Sequence, residues 1–230
     1  LKKVPYTYRL FEEFKKIKKY DLKERLPELY FRYLGENFST VAYDFVDVLM
    51  QMLLANFTVP YGKWCKDNGL IVTGHVLHED TLSCQTTMMG SVMQYYRYMD
   101  YPGIDNLGSC NYCYEVPKLA ASVAKQFGKK FVLSEMYGVS GWRMSLNDYK
   151  HDGDWQAFMG ITFRCPHLSW YTMKGEAKRD CPASIMSQSG WYTEYKAVED
   201  YFSRLDAVFS CCDEMTENLI IHPVESAWGL

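Results

Sequence analysis

Long apolar runs are missing from this chain of 230 residues. Its most apolar stretch, 48–57, is short and contains Gln51 and Asn56, which excludes a membrane span there. A charge excess is missing too. The net charge is −3 and the pI is near 6.0, so there is no electrostatic footprint for nucleic acid. The basic stretch Lys15-Lys16-Ile17-Lys18-Lys19 reads as the solvated face of a helix. Cysteine is present without a framework: positions 65, 84, 110, 113, 165, 181, 211 and 212 follow no disulfide spacing. That excludes a small stapled scaffold and suits reduced thiols in a cytosolic protein. Cys110-Asn-Tyr-Cys113 has no second pair and no His at finger spacing, so zinc or redox chemistry is not expected from it. No Pro/Gly/Ser linker, fixed-period repeat or low-complexity tract divides the chain. It starts at Leu1 rather than Met, which suits a piece of a longer protein and leaves its targeting unread.

What is abundant is apolar and aromatic. A hydrophobic content of 48% supports a real core and excludes disorder. Aromatics reach 16%, with 19 Tyr and 6 Trp, a surplus that suits flat amphipathic surfaces for sugars or other rings as well as an aromatic core.

Along the chain, 7–34 reads as two helices, the first with Phe11, Phe14 and Ile17 on one face and the second capped by Asp21. A long helix is expected over 43–66, buried through Phe45, Val48, Leu49, Met52 and Leu53, bent at Pro60 or Gly62 and stopped at Asp67-Asn68-Gly69. A βα rhythm follows. Short strands are expected at 70–73, 103–108, 131–134 and 161–164, and helices at 91–99, 116–127, 148–159 and 195–209, with a long loop over 166–194. This alternation implies βαβ units and a parallel sheet. Each strand runs into polar groups on its carboxyl side, the ligand side of such folds. The central case is Phe131-Val132-Leu133-Ser134-Glu135, an apolar run delivering a carboxylate to the turn at Gly138, Ser140 and Gly141. The bland alternative for Glu135 is a turn cap or a Lys partner.

The motifs 74–80 (Gly-His-Val-Leu-His-Glu-Asp), 99–105, 132–138, 167–171 and 174–180 follow one another as in a family of bacterial glycoside hydrolases. The chain resembles the (β/α)8-barrel hydrolases typified by α-L-rhamnosidases, over nearly its whole length. The resemblance implies an α/β fold that is part of a TIM barrel: about the last four βα units, strands five to eight, plus the preceding helices. Residues 1–215 would be the C-terminal part of the barrel. Residues 216–230 would be a tail or the start of a following domain, with 218–223 as its first strand. A half barrel has open edges, so it implies self-association or a missing half as partner.

Glycosidic hydrolysis takes two carboxyl groups, an acid and a base or nucleophile. The resemblance makes Glu135 nucleophile or base, with Glu79 as the in-chain catalytic partner and Asp80 and Asp105 near the substrate. His75 and His167 are read either as sugar-binding or as satisfied structural histidines; His78 and His151 are read as surface residues. Trp142, Trp170 and Trp191 lie in loops on the ligand side, where a pyranose can stack, and Trp142 and Trp191 are the favoured platforms. Lys178-Arg179-Asp180 reads as a loop-ordering ion-pair set, and Asp154-Trp155 as a helix start. Around Cys181-Pro182 and Gln188–Trp191 the chain departs from the family pattern, at the pocket rim that selects the sugar. No metal is required. Relatives use calcium at the sugar, and Asp105, Glu79 and Asp80 offer hard oxygens, without EF-hand spacing. The expected function is removal of a terminal sugar, an α-L-rhamnoside in the first instance, from a glycan. The alternatives are a β-galactosidase- or β-glucuronidase-like hydrolase, a non-catalytic carbohydrate-binding or structural fragment, and a redox or metal enzyme using Cys110 and Cys113.

Overall fold

The computed structural model describes residues 4–31, 35–108, 113–179 and 181–230, with the side chains of 177 and 178 left out. Helices α1 (Leu10–Lys18), α2 (Leu22–Arg25) and α3 (Thr40–Leu53) pack through Leu10, Phe14, Leu22, Val41, Phe45 and Val48. Asp21 caps α2, accepting the Lys23 N–H as expected. The basic stretch is solvated only in part. Lys15 and Lys16 are exposed, but Lys18 bridges to Asp44 at 2.7 Å and Asp47 at 2.6 Å on α3. Pro60 does not break the long helix. After α3 a π-helical turn, Leu54–Thr58, leads directly into α4 (Val59–Asp67), where Pro60 occupies the first turn. Gly69, at φ 69°, ends it.

The centre is one sheet. Strands β1 (Thr73–Gly74), β2 (Tyr101–Asn106), β3 (Leu133–Met136) and β4 (Phe163–Pro166) are all parallel and lie in sequence order, curled into a half-barrel. Asp105 pairs in register with Glu135, and Glu135 with Cys165. The expected β3 and β4 are displaced by two residues, because a strand forms where a neighbour's ladder is available rather than where the apolar run lies. Glu135 therefore sits inside β3 and not on the turn.

Helices α5 (Leu82–Met88), α6 (Val92–Tyr96), α7 (Glu115–Gln126), α8 (Leu146–Phe158) and α9 (Lys196–Phe209) follow the strands. Side chains alternate across a strand. One row therefore faces the helices: Ile104 enters a core with Val116, Ala120 and Val123 of α7. Ser134 bonds Gln156 of α8 at 2.5 Å, and Arg164 pairs with Glu199 of α9 at 2.9 Å. Gly153 on α8 is required by packing, since a β-carbon there would lie 2.2 Å from the Phe202 ring of α9. Asp154 and Trp155 lie late in α8 rather than at its start, with Asp154 held by Lys150 and Tyr201.

Residues 218–223 form no strand. The chain instead returns to the body: His222 meets Gln85 at 3.1 Å, and a last helix, α10 (Val224–Trp228), buries Trp228, whose indole donates to the Gly90 carbonyl. Among the described residues no helix is long and apolar enough to cross a membrane.

Candidate active site

The other row of the sheet is open. From its N-terminal end it carries an aromatic group, with Tyr101 edge-on to Phe131 and Phe131 tilted against Phe163. Next come Gly103 and Leu133, then Asp105, Glu135 and Cys165. Gly103 is obligatory, because a β-carbon would lie 2.0 Å from the Gly74 carbonyl oxygen on β1.

At the C-terminal edge the strands converge on Glu135. His75, just after β1, places Nε2 3.0 Å from Glu135 Oε2 and Nδ1 3.9 Å from Asp105 Oδ2. His167, just after β4, places Nε2 3.6 Å from Glu135 Oε1. One ligand atom each of His75, Asp105 and Glu135 lie within 4.8 Å of one another. The loops above are tied together: the Gly108 N–H donates to the Gly138 carbonyl, the His167 N–H to Met136 and the Val139 N–H to Cys181.

Both imidazoles are oriented by their own backbone. His75 Nδ1 is 3.0 Å from the Val76 carbonyl, and His167 Nδ1 is 3.0 Å from the Leu168 carbonyl. A carbonyl only accepts, so Nδ1 carries a proton, and a neutral ring aims its Nε2 lone pair at the carboxylate. That clash is relieved when His75 is protonated. Burial pulls the His75 pKa down, but the Val76 carbonyl and the Asp105, Glu135 and Glu79 carboxylates outweigh it, and the net shift is upward. Asp105 is also raised, by burial first, partly offset by His75, and by the Glu135 charge. Its Oδ1 is buried without a hydrogen-bond partner.

Glu79 does not open onto this edge. It is 4% exposed, and both carboxylate oxygens are engaged: Oε1 by the Tyr96 hydroxyl and the Val76 N–H, Oε2 by the Asp105 N–H. Burial pushes its pKa up to about 6, against the pull of Tyr96 and the two N–H donors. The expected catalytic partner is thus the bracket that holds the His75 loop onto β2. Asp80 is exposed and stands with His78 and Cys84 instead. The three carboxylates proposed as calcium ligands are therefore divided: Asp105 is in the Glu135 group, Asp80 in the other and Glu79 in neither.

Of the tryptophans, Trp142 is stacked on Trp170, with centroids 4.8 Å apart and planes at 9°. Trp142 is 45% exposed and Trp170 is buried, so the pair shows one indole face to solvent. Trp191 packs edge-on against Tyr149 at 5.3 Å and tilts on Tyr195, beside the α8–α9 core, so its role is packing rather than stacking on a ligand. His151 is exposed as expected. Arg179 pairs with Glu176 at 2.8 Å, while Asp180 and Cys110 lie outside the described residues.

Two hollows lie elsewhere. One of about 210 Å³ is lined by Arg25, Phe31 and Phe38, and another of about 320 Å³ lies beside β4 and α9. Neither is lined by Glu135. The class defined by fold and site is therefore a parallel α/β half-barrel with histidines and carboxylates gathered at its strand ends. No protein-family model and no curated protein sequence matches the chain.

Proposed function

We propose that the chain is the C-terminal half of a (β/α)8-barrel glycoside hydrolase that removes a terminal sugar from a glycan, with an α-L-rhamnoside as first candidate substrate. One observation carries this: consecutive strands each deliver one titratable side chain, His75, Asp105, Glu135 and His167, to the same carboxyl edge, centred on Glu135. Strand ends are where barrel enzymes keep their chemistry.

Glu135 acts as nucleophile or base. Asp105 takes the role first assigned to Glu79. Its oxygen lies within 4.8 Å of Glu135, nearer the roughly 5–5.5 Å carboxyl spacing of retaining hydrolases than the roughly 6.5–9.5 Å of inverting ones. Burial and the neighbouring charge favour its protonated form, the state an acid catalyst needs. His75 and His167 hold the Glu135 carboxylate through Nε2. The open face of Trp142 suits a pyranose. Four further strands, from a second segment or a second copy, would close the barrel. A cytosolic setting is supported by the described cysteines, none of which is in a disulfide. The donor set of two carboxylates and an imidazole does not fit calcium, which takes six to eight oxygens.

The test is a panel of aryl glycosides, the α-L-rhamnoside, β-galactoside and β-glucuronide, with the anomer of the product followed by NMR. Hydrolysis of one of them, lost in Glu135→Gln, is the expected result. Full activity in Glu135→Gln overturns the assignment. The exposed Trp142 face also favours a second reading, a non-catalytic carbohydrate-binding fragment. Saturable sugar binding without hydrolysis, lost in Trp142→Ala, selects that reading.

A further inference from the structure

The loop between β1 and α5 has two sides. Glu79 points into the fold and is held by Tyr96, Val76 and Asp105. Its neighbours His78 and Asp80 are both exposed. Cys84, in the first turn of α5, comes up beside them: a ring nitrogen of His78, a carboxylate oxygen of Asp80 and Cys84 Sγ all lie within 4.8 Å of one another. His78 has a left-handed backbone, φ 56°, which a side chain with a β-carbon rarely adopts. A second sulfur is at hand. Cys113 Sγ lies 3.4 Å from the Asp80 carbonyl oxygen, although the two residues are 33 apart in sequence. None of these residues belongs to the Glu135 cluster.

We propose that His78, Asp80 and Cys84, with Cys113 as fourth ligand, form a structural site for zinc or a metal of similar softness. The donors decide the metal class. One imidazole, one carboxylate and two sulfurs suit a borderline ion, whereas calcium and magnesium take oxygen. Zinc bonds of about 2.0–2.3 Å put tetrahedral ligands roughly 3.3–3.8 Å apart. Side-chain rotations of about 1 Å therefore close the observed group around an ion. The bound ion would tie α5 and the segment before α7 to the outer side of the loop that Glu79 pins from within. It would stiffen the segment carrying His75 whether or not the chain hydrolyses sugars. Linear spacing hid the site, because Cys113 reaches the Asp80 backbone only through the fold.

The reduced protein is titrated with Co²⁺ and then with Zn²⁺. Expected is saturable Co²⁺ binding with a thiolate-to-cobalt charge-transfer absorption, displaced by Zn²⁺. The band should fall by about half in Cys84→Ser and vanish in Cys84→Ser/Cys113→Ser. His78→Ala keeps both thiols and sits on the surface, and should weaken Co²⁺ binding at least tenfold. Glu135→Gln, in the other cluster, should leave the thiolate-to-cobalt band unchanged. An unchanged band in the double variant overturns the proposal, as does Co²⁺ bound without the band or no saturable Co²⁺ binding. If the double variant does not fold, unchanged Co²⁺ affinity in His78→Ala overturns it alone.

Discussion

The two faces of the sheet are built by the same strands and do opposite things. On the covered face, Ile104 is fully buried, Ser134 bonds Gln156, and Arg164 is gripped by Glu199 and the Tyr137 hydroxyl with its guanidinium 3.9 Å over the Phe202 ring. On the open face, Asp105 and Glu135 meet each other and two histidines, while Phe163 is 44% exposed. Polar groups on the covered face are taken up by fixed structural partners, although Gln156 Nε2 and Arg164 Nε are left without one. Those on the open face gather around Glu135 instead, with Asp105 Oδ1 buried beside it without a partner. Substitutions should therefore separate cleanly by the parity of the residue along its strand.

The largest separation is expected at Glu135→Gln. Hydrolysis should fall by about 10³-fold or more, roughly 4 kcal/mol of transition-state stabilisation, while chemical denaturation shifts by less than about 0.5 kcal/mol. A large loss of stability would break the comparison by making Glu135 structural.

Across the strand pair, Arg164→Ala should do the reverse. It strips a guanidinium that is 5% exposed away from Glu199 and Tyr137, and urea unfolding should show a loss of about 3 kcal/mol.

The covered side also carries a buried acid that tests the contrast. Asp152 on α8 is 2% exposed, neither carboxylate oxygen has a partner, and burial raises its pKa to about 7. A carboxyl raised in the fold contributes stability when protonated, and that contribution is lost as pH rises from about 4 through 7. Asp152→Asn should match the wild type near pH 4 and exceed it by up to about 4 kcal/mol at pH 8. Denaturation at both pH values checks the sign; equal stability at pH 8 would mean the carboxylate is solvated.

The smallest effect belongs to Phe163→Ser, which should cost less than about 1 kcal/mol because the ring is half out of contact. A loss of 3 kcal/mol or more, together with a smaller particle in sedimentation, would show that another half-barrel covers this face in solution.

Much of this was readable in one dimension. The βα rhythm, the Asp21 cap and the Gly69 stop follow from local chemistry, and the polar groups behind each strand were visible. Helix α5, Leu-Ser-Cys-Gln-Thr-Thr-Met, escaped because its residues are mostly weak helix formers. Its Thr81 cap was the available signal. Helix α10 escaped because an apolar run before it, 219–221, looked like a strand, yet that run is exposed and only Val224 and Trp228 turn inward.

By itself the sequence determined most of the elements, their order and the candidacy of Glu135, because hydrophobic period, capping and turn chemistry act over a few residues. Only the tertiary structure decided which acid stands beside it. Asp105 and Glu135 are neighbours through parallel register, while Glu79 is turned inward onto Tyr96. Register and burial are set by strand pairing across some thirty residues of chain, and no local pattern encodes which of two adjacent carboxylates water will still reach.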